Sequence, residues 1–309
     1  GTAGAADCEV VASGLKAPIG SAFTNQGNLV ISETGTANVP ASGRVSIVSP
    51  NGGRRTLLDG LPQGTNAAGG DASGPNSLAM RGRTIYVAIG QGDTVIPGPP
   101  GSTIPNPNVS SALFSSVLAI HLSAAAERST AGFTLSEQNR MTLAGGGKVT
   151  LSNGKGDKLQ VELVVNFPDY VSEPNAANAG NVRNSNPFGV LLVDDFMYVT
   201  NGGLNRLRDR KVLVYGRRDG LPDENVRSVA RTSDGTLWAA TEGGLLEINH
   251  ASGRSVSNRH DKSIPSSLSS DQLTSVLVDS DDRIWVGTKS DGIMLIDARH
   301  GIKTQTRRH

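Results

Sequence analysis

Apolar and polar positions alternate along this chain in short runs, and the runs come in sets. "VRSVART" (residues 226–232) and "LTSVLVD" (273–279) each open such a set. An Asp/Gly turn follows, then a short segment holding a tryptophan: "DGTLWAATEGGL" (234–245) and "DDRIWVGTKSDGI" (281–293). A second Gly turn leads into "LLEIN" (245–249) or "IMLID" (293–297), and the tryptophans Trp238 and Trp285 stand 285 − 238 = 47 residues apart. Short period-two runs separated by turn residues predict an antiparallel meander. Four such strands in a unit of about 40–50 residues predict a β-propeller blade.

The same cadence runs through the earlier chain. "IGSAFTNQGNLVISETG" (19–35) and "GRVSIVSPNGGRRTLLDG" (43–60) supply one set of four. "GPNSLAMRGRTIYVAIGQG" (74–92) with "SVLAIHL" (116–122) begins another, and "NPFGVLLVDDFMYVTNGG" (186–203) a third. Second strands are expected to begin near Leu29, Ile85, Met197, Leu237 and Ile284. The pattern therefore predicts an all-β protein: a single β-propeller domain over residues 1–309, built of four-stranded antiparallel blades, five of them recognisable. The interval 197 − 85 = 112 residues carries two insertions. Residues 92–111 are rich in Pro, Gly and Ser and read as a loop. Residues 124–158 contain strand-like runs, including "GFTLSEQ" and "NRMTLAGGGKVTLS", which make them a candidate sixth blade. Within them "AGGGK" (144–148) reads as a hairpin turn, because it lacks the spacing of a phosphate loop.

Repetition also bears on the tryptophans. Two aromatics at one position of a repeated strand predict packing between neighbouring blades rather than a binding platform. Outer strands are expected at 8–14, 54–60, 159–165, 211–216, 254–258 and 302–306, six for five cores. The spare strand at the N-terminus, with Cys8, Glu9, Val10, Val11 and Ala12, is a candidate interaction edge for a second molecule, since a free edge is a template for pairing.

Composition narrows the class. Hydrophobic residues are 37% of the 309 and aromatics only 4%, so the core must be aliphatic. The 38 glycines and 15 prolines fit a turn-rich chain. A net charge of +1 points away from nucleic acid and from anionic membrane surfaces, and no run of 18 apolar residues predicts a membrane span. Cys8 is the single cysteine, so no disulfide forms within the chain. The opening "GTAGAAD" has the small residues left by signal-peptide cleavage, which predicts a secreted or periplasmic protein.

Two family resemblances meet mid-chain. Residues 8–203 resemble the ScyD/ScyE family of exported propeller proteins through "VVASGLKAPIGSAF", "GRVSIVSP", "GPNSLAM", "IYVAIGQG" and above all "SEPNAANAGNVRNSNPFGV". Residues 203–300 are similar to two-component-regulator propeller repeats, through "GLPDENVRSVARTSDGTLWAATEGGL" and "SSDQLTSVLVDSDDRIWVGTKSDGIMLID". The second resemblance implies a sensor propeller outside the membrane. Both imply the propeller fold.

Candidate chemistry is sparse. No G-x-S-x-G elbow is present. His121, His250, His260, His300 and His309 share no metal-ligand spacing, and surface placement is expected for them. Glu33, Asn76, Asn184 and Asn186 lie at blade edges, where a lactonase-type propeller would hold a divalent metal such as Ca2+; turn capping by the asparagines and a solvated Glu33 is the plainer expectation. "NVS" at Asn108 marks an exposed loop. These residues favour a non-catalytic binding scaffold without a cofactor, its partner a protein, a second copy, a small molecule or a glycan. The alternatives are a structural subunit assembling through terminal strands and a metal-dependent hydrolase.

Overall fold

The computed structural model describes residues 10–65, 72–100, 103–167, 185–201, 203–208, 211–249, 252, 254–297 and 301–303. Among them are five antiparallel sheets of at least four strands. The first comprises Pro18–Phe23, Leu29–Glu33, Gly43–Val48 and Arg54–Leu61. The second comprises Pro75–Arg81, Thr84–Ile89, Ser116–Leu122 and Lys158–Asn166. Val190–Val193, Phe196–Thr200, Leu204–Arg208 and Lys211–Tyr215 form the third. The fourth holds Val226–Arg231, Leu237–Thr241, Gly244–Asn249 and Arg254–Asn258. The fifth holds Leu273–Val278, Arg283–Thr288, Ile293–Asp297 and Gly301–Lys303. The first strands of successive sheets pack against one another in chain order, which is the propeller arrangement.

The seams between sheets follow from the two-residue period of a strand. In each second strand one set of side chains faces the following sheet and the alternate set faces the preceding one. Val30, Tyr86, Tyr198 and Trp238 occupy the same position and face forward, each into the apolar cluster shared with the next sheet. Ile85 with Val87, Met197 with Val199, Leu237 with Ala239, and Ile284 with Val286 face back into those same four clusters. Each fully buried aliphatic contributes about 1.5–3 kcal/mol relative to exposure. A sheet buried on both faces cannot exist alone, which is why the unit recurs.

Trp238 sits between the fourth and fifth sheets, as expected from its repetition. Trp285 differs. It is half-buried, and its indole N–H donates to Asp279 Oδ2 at 2.8 Å. The residue matching Asp279 one repeat earlier (279 − 47 = 232) is Thr232, whose hydroxyl donates to Asp234 at 2.7 Å. The buried Trp238 indole N–H therefore has no acceptor among the described residues. Trp238→Phe removes an unpaired donor while keeping a ring, so we expect its stability within about 1 kcal/mol of wild type in urea titration, against about 3–5 kcal/mol lost by Trp238→Ala.

Three expectations change. Residues 124–158 form no sheet of their own. Helix Ala124–Arg128 leads to Phe133–Thr134, which pairs in parallel with Leu58–Asp59 on the first sheet. Helix Glu137–Ala144 follows, begun by a capping box between Ser136 and Asn139. Lys148–Ser152 then extends the outer edge of the second sheet. "AGGGK" is thus a helix-to-strand turn, not a hairpin: Gly145 caps the helix and Gly146, at φ 83°, reverses the chain. Finally, Val10, Val11 and Ala12 lie in irregular backbone rather than in a strand, and Cys8 and Glu9 lie outside the described residues. The first sheet already begins with Pro18–Phe23 as its innermost strand.

Candidate functional site

Antiparallel order places the ends of the second and fourth strands of every sheet on one rim of the propeller, together with the starts of the first and third. The long connections of the first two sheets, residues 34–42, 62–74, 90–115 and 167–189, all leave and return at this rim. On the opposite rim most connections are two- to five-residue turns, apart from the 123–157 excursion. That excursion bounds a cavity of about 550 Å³ lined by Arg54, Arg55, Arg128, Glu127 and Asn28. Its only carboxylate, Glu127, is buried and already paired with Arg83.

At the loop-bearing rim, Gly90 is the hub. A Cβ built there would lie 2.6 Å from Ser73 Oγ, 2.7 Å from Asn76 Nδ2 and 2.9 Å from Asn186 Oδ1, so three polar side chains converge on a glycine that leaves them room. Asn186 Oδ1 accepts from the Gln91 amide at 3.1 Å, and Asn76 Nδ2 donates to the Pro187 carbonyl at 2.8 Å. The Ser77 amide donates to the Phe188 carbonyl at 3.1 Å, and the Ser115 hydroxyl donates to the Ser185 carbonyl. On the other side, the amides of Phe188 and Gly189 donate to the Thr200 carbonyl (2.9 Å) and hydroxyl (2.7 Å). The "SNPFG" segment, residues 185–189, thus stitches the second sheet to the third.

Asn76 and Asn186 are therefore brought together, as clamps on backbone groups; Asn184 lies outside the described residues. Glu33 is elsewhere, and it is not solvated. Its side chain is fully buried and accepts from the Lys16 amide (2.5 Å), from Arg44 (2.7 Å) and from the Ser46 hydroxyl, with Arg54 4.0 Å away. Burial alone would raise its pKa; the hydrogen bonds from Arg44, Ser46 and Lys16 outweigh this and hold it below the usual glutamate value. Both carboxylate oxygens are engaged by protein donors. Among the described residues no three His, Cys, Asp or Glu side chains cluster to hold a metal ion. His121 lies within strand Ser116–Leu122, bonded to Thr84 Oγ1 and Glu162 Oε1 at 3.0 Å each, and His260 binds the Leu268 carbonyl. His250, His300 and His309 fall outside the described residues, and Asn108 is exposed.

Residue types alone did not single out Gln63, Thr94 and Asn201. Each is buried near this rim, and Gln63 Oε1, Thr94 Oγ1 and Asn201 Oδ1 have no hydrogen-bond partner among the described residues. Buried acceptors in this state call for a water, an ion or a ligand group. The clamp itself is testable. Asn76→Ala leaves the Pro187 carbonyl without its donor and is expected to lower stability by about 1–3 kcal/mol, measured by urea unfolding.

Comparison with known proteins agrees with the propeller fold. Residues 220–243 and 267–290 match the two-component regulator propeller model. The chain is a β-propeller. No curated protein matches it. Among solved structures it is similar to PQQ-bound aldose sugar dehydrogenase from Streptomyces coelicolor, at 11% identity and TM-score 0.50, over 97% of this chain and 83% of that one. It is also similar to luciferin-regenerating enzyme, at 9% identity and TM-score 0.51, over 94% and 75%. The extracellular domain of a proposed hybrid two-component system, BT3049 of B. thetaiotaomicron, matches at 13% identity and TM-score 0.44, over 96% of this chain and 35% of that one. This chain spans 32–38% of the length of three B. thetaiotaomicron extracellular domains, from one-component and hybrid two-component systems, that it matches. At these identities the likeness is one of fold. No helix among the described residues is long and apolar enough to cross a membrane.

Proposed function

We propose that this propeller is a non-catalytic, exported binding scaffold whose ligand seats on the loop-bearing rim around Gly90, and that the ligand is a glycan or another small polyhydroxylated molecule. The observation that carries the reading is the gathering of the long connections of the first two sheets on one rim, above a rigid floor tied by Asn76, Gln91 and Asn186. Loops that vary over a fixed scaffold are where propellers recognise ligands. Gln63 Oε1, Thr94 Oγ1 and Asn201 Oδ1, buried beneath this rim without partners among the described residues, give it a polar floor that suits a ligand rich in hydroxyl groups. The motif resemblance of residues 8–203 to an exported family, and of the later repeats to sensor propellers, supports placement outside the cytoplasm.

The hairpin Val95–Pro97 with Thr103–Pro105 stands on this rim as a two-stranded sheet of its own and can be shortened without touching the five larger sheets. The test is a glycan and small-molecule screen, followed by calorimetry on wild type and on a variant with residues 96–104 replaced by Asn-Gly. Affinity is expected to fall at least tenfold while the unfolding midpoint stays unchanged. Binding that survives the replacement intact would place the ligand elsewhere.

A further inference from the structure

The 123–157 excursion stands on a rim where most strands are joined by short turns, and against the first sheet it encloses the cavity of about 550 Å³. Its walls are fixed by bonds of their own. Phe133–Thr134 pairs with the first sheet. The Asn153 side-chain amide donates to Ser129 Oγ (3.0 Å), the Ala131 carbonyl (3.2 Å) and Asp157 Oδ2 (3.1 Å). The cavity is therefore preformed, and its volume falls within the range of about 300–1,000 Å³ usual for small-molecule sites.

Its charge is one-sided. Glu127 accepts from Arg83 and from Asn28 Nδ2 at 3.3 Å, and Arg54 turns towards Glu33, 4.0 Å away. Arg55 and Arg128 remain. The partly buried Arg55 guanidinium donates from Nη2 to the Ala126 (2.8 Å) and Glu127 (3.0 Å) carbonyls, which carry no formal charge. Its buried Nη1 has no hydrogen-bond partner among the described residues. Burial works against the Arg55 charge and lowers its pKa; Asp157, bonded to Ser129 and Asn153, offsets this only in part. Arg128 lines the cavity from an exposed position. Lys155 Nζ donates to Thr130 Oγ1 at 2.6 Å, which brings a third cation to the wall and leaves the Thr130 hydroxyl hydrogen for another acceptor.

We propose that this cavity binds a small polar molecule through an oxyanion group, a phosphate, sulfate or carboxylate, held between Arg55, Arg128 and Thr130. A guanidinium presents paired N–H donors that match such a group. The anion also supplies the counter-charge that the carbonyl partners of Arg55 do not. The site lies on the rim opposite Gly90 and is independent of the ligand proposed there.

The test is calorimetry on the 309-residue chain at about 0.15 M ionic strength, which screens exposed charges more than about 8 Å apart. The probes are glucose carrying a phosphate, a sulfate or a carboxylate at its sixth carbon, with glucose itself as the uncharged control. At least one anion is expected to bind with Kd below about 1 mM, and the three together identify the preferred group. Arg128→Ala and Thr130→Ala change exposed side chains, so the fold should persist, checked by circular dichroism. Arg128→Ala should weaken the preferred anion about tenfold or more, and Thr130→Ala by a smaller factor. Arg217→Ala, which removes one positive charge between the third and fourth sheets, should leave binding unchanged, as should replacement of residues 96–104. Anions that bind no tighter than glucose overturn the proposal. So does binding that survives Arg128→Ala, or a loss as large in Arg217→Ala. Binding abolished by the 96–104 replacement would put the anion on the Gly90 rim and overturn it as well.

Discussion

Replacing Glu33 by alanine is expected to lower folding stability by about 3–5 kcal/mol, the range for removing one partner of a buried ion pair. The side chain is fully buried and joins three parts of the first blade: the amide of Lys16 ahead of the first strand, Arg44 and Ser46 on the third, and Arg54 on the fourth. Without it the Arg44 guanidinium, with a side chain only 13% exposed, keeps its desolvation and loses its counter-charge. Glu33→Gln retains the volume and an acceptor but not the charge, so an intermediate loss is expected. Acid titration separates the two contributions. The carboxyl pKa is lowered in the folded state, so its stabilisation is fully present above the unfolded value near 4.5 and is lost as pH falls through the lower folded value. Urea midpoints of wild type should therefore fall more steeply below pH 4.5 than those of Glu33→Gln. Parallel acid limbs would show that the carboxylate is not paired in solution.

Gly92→Ala is expected to cost about 3 kcal/mol, from two sources that add. The residue has φ 55°, where a Cβ costs about 1–2 kcal/mol. That Cβ would also fall 2.2 Å from Cε1 of Phe114, a fully buried ring that has nowhere to go, and overpacking of this kind costs about 1–3 kcal/mol. Gly82→Ala is the control. It shares the positive φ, at 58°, but has nothing within 4 Å, so only the backbone contribution applies. Equal losses for the two variants, read from urea midpoints, would mean that Phe114 does not pack under the loop-bearing rim.

Much of this molecule was legible because its strands carry local signals. The second strands stand where the apolar runs and Gly turns put them, at Leu29–Glu33, Thr84–Ile89, Phe196–Thr200, Leu237–Thr241 and Arg283–Thr288. The candidate site was legible only in part. "SNPFG" is distinctive in the sequence, yet its partners Asn76 and Ser115 stand 111 and 70 residues away, and no local pattern pairs them. Glu33, buried rather than solvated, escapes the local pattern for the same reason. A lone glutamate at a strand end is usually wet, and only the register that sets it opposite Arg44 shows otherwise. Arg44 and Ser46, two residues apart on one strand face, were the available hint.

By itself, then, the sequence determined the all-β class, the repeat, the strand phases and the packing position of Trp238, because period-two alternation and turn chemistry act over a few residues. Tertiary structure alone decided that residues 124–158 add to existing sheet edges, that Asn76 and Asn186 clamp backbone rather than cap turns, and that Trp285 stands on a face its counterpart Trp238 has covered. Those outcomes depend on which surfaces meet across tens of residues. Two similar strand sequences acquire different environments when the surfaces packed against them differ.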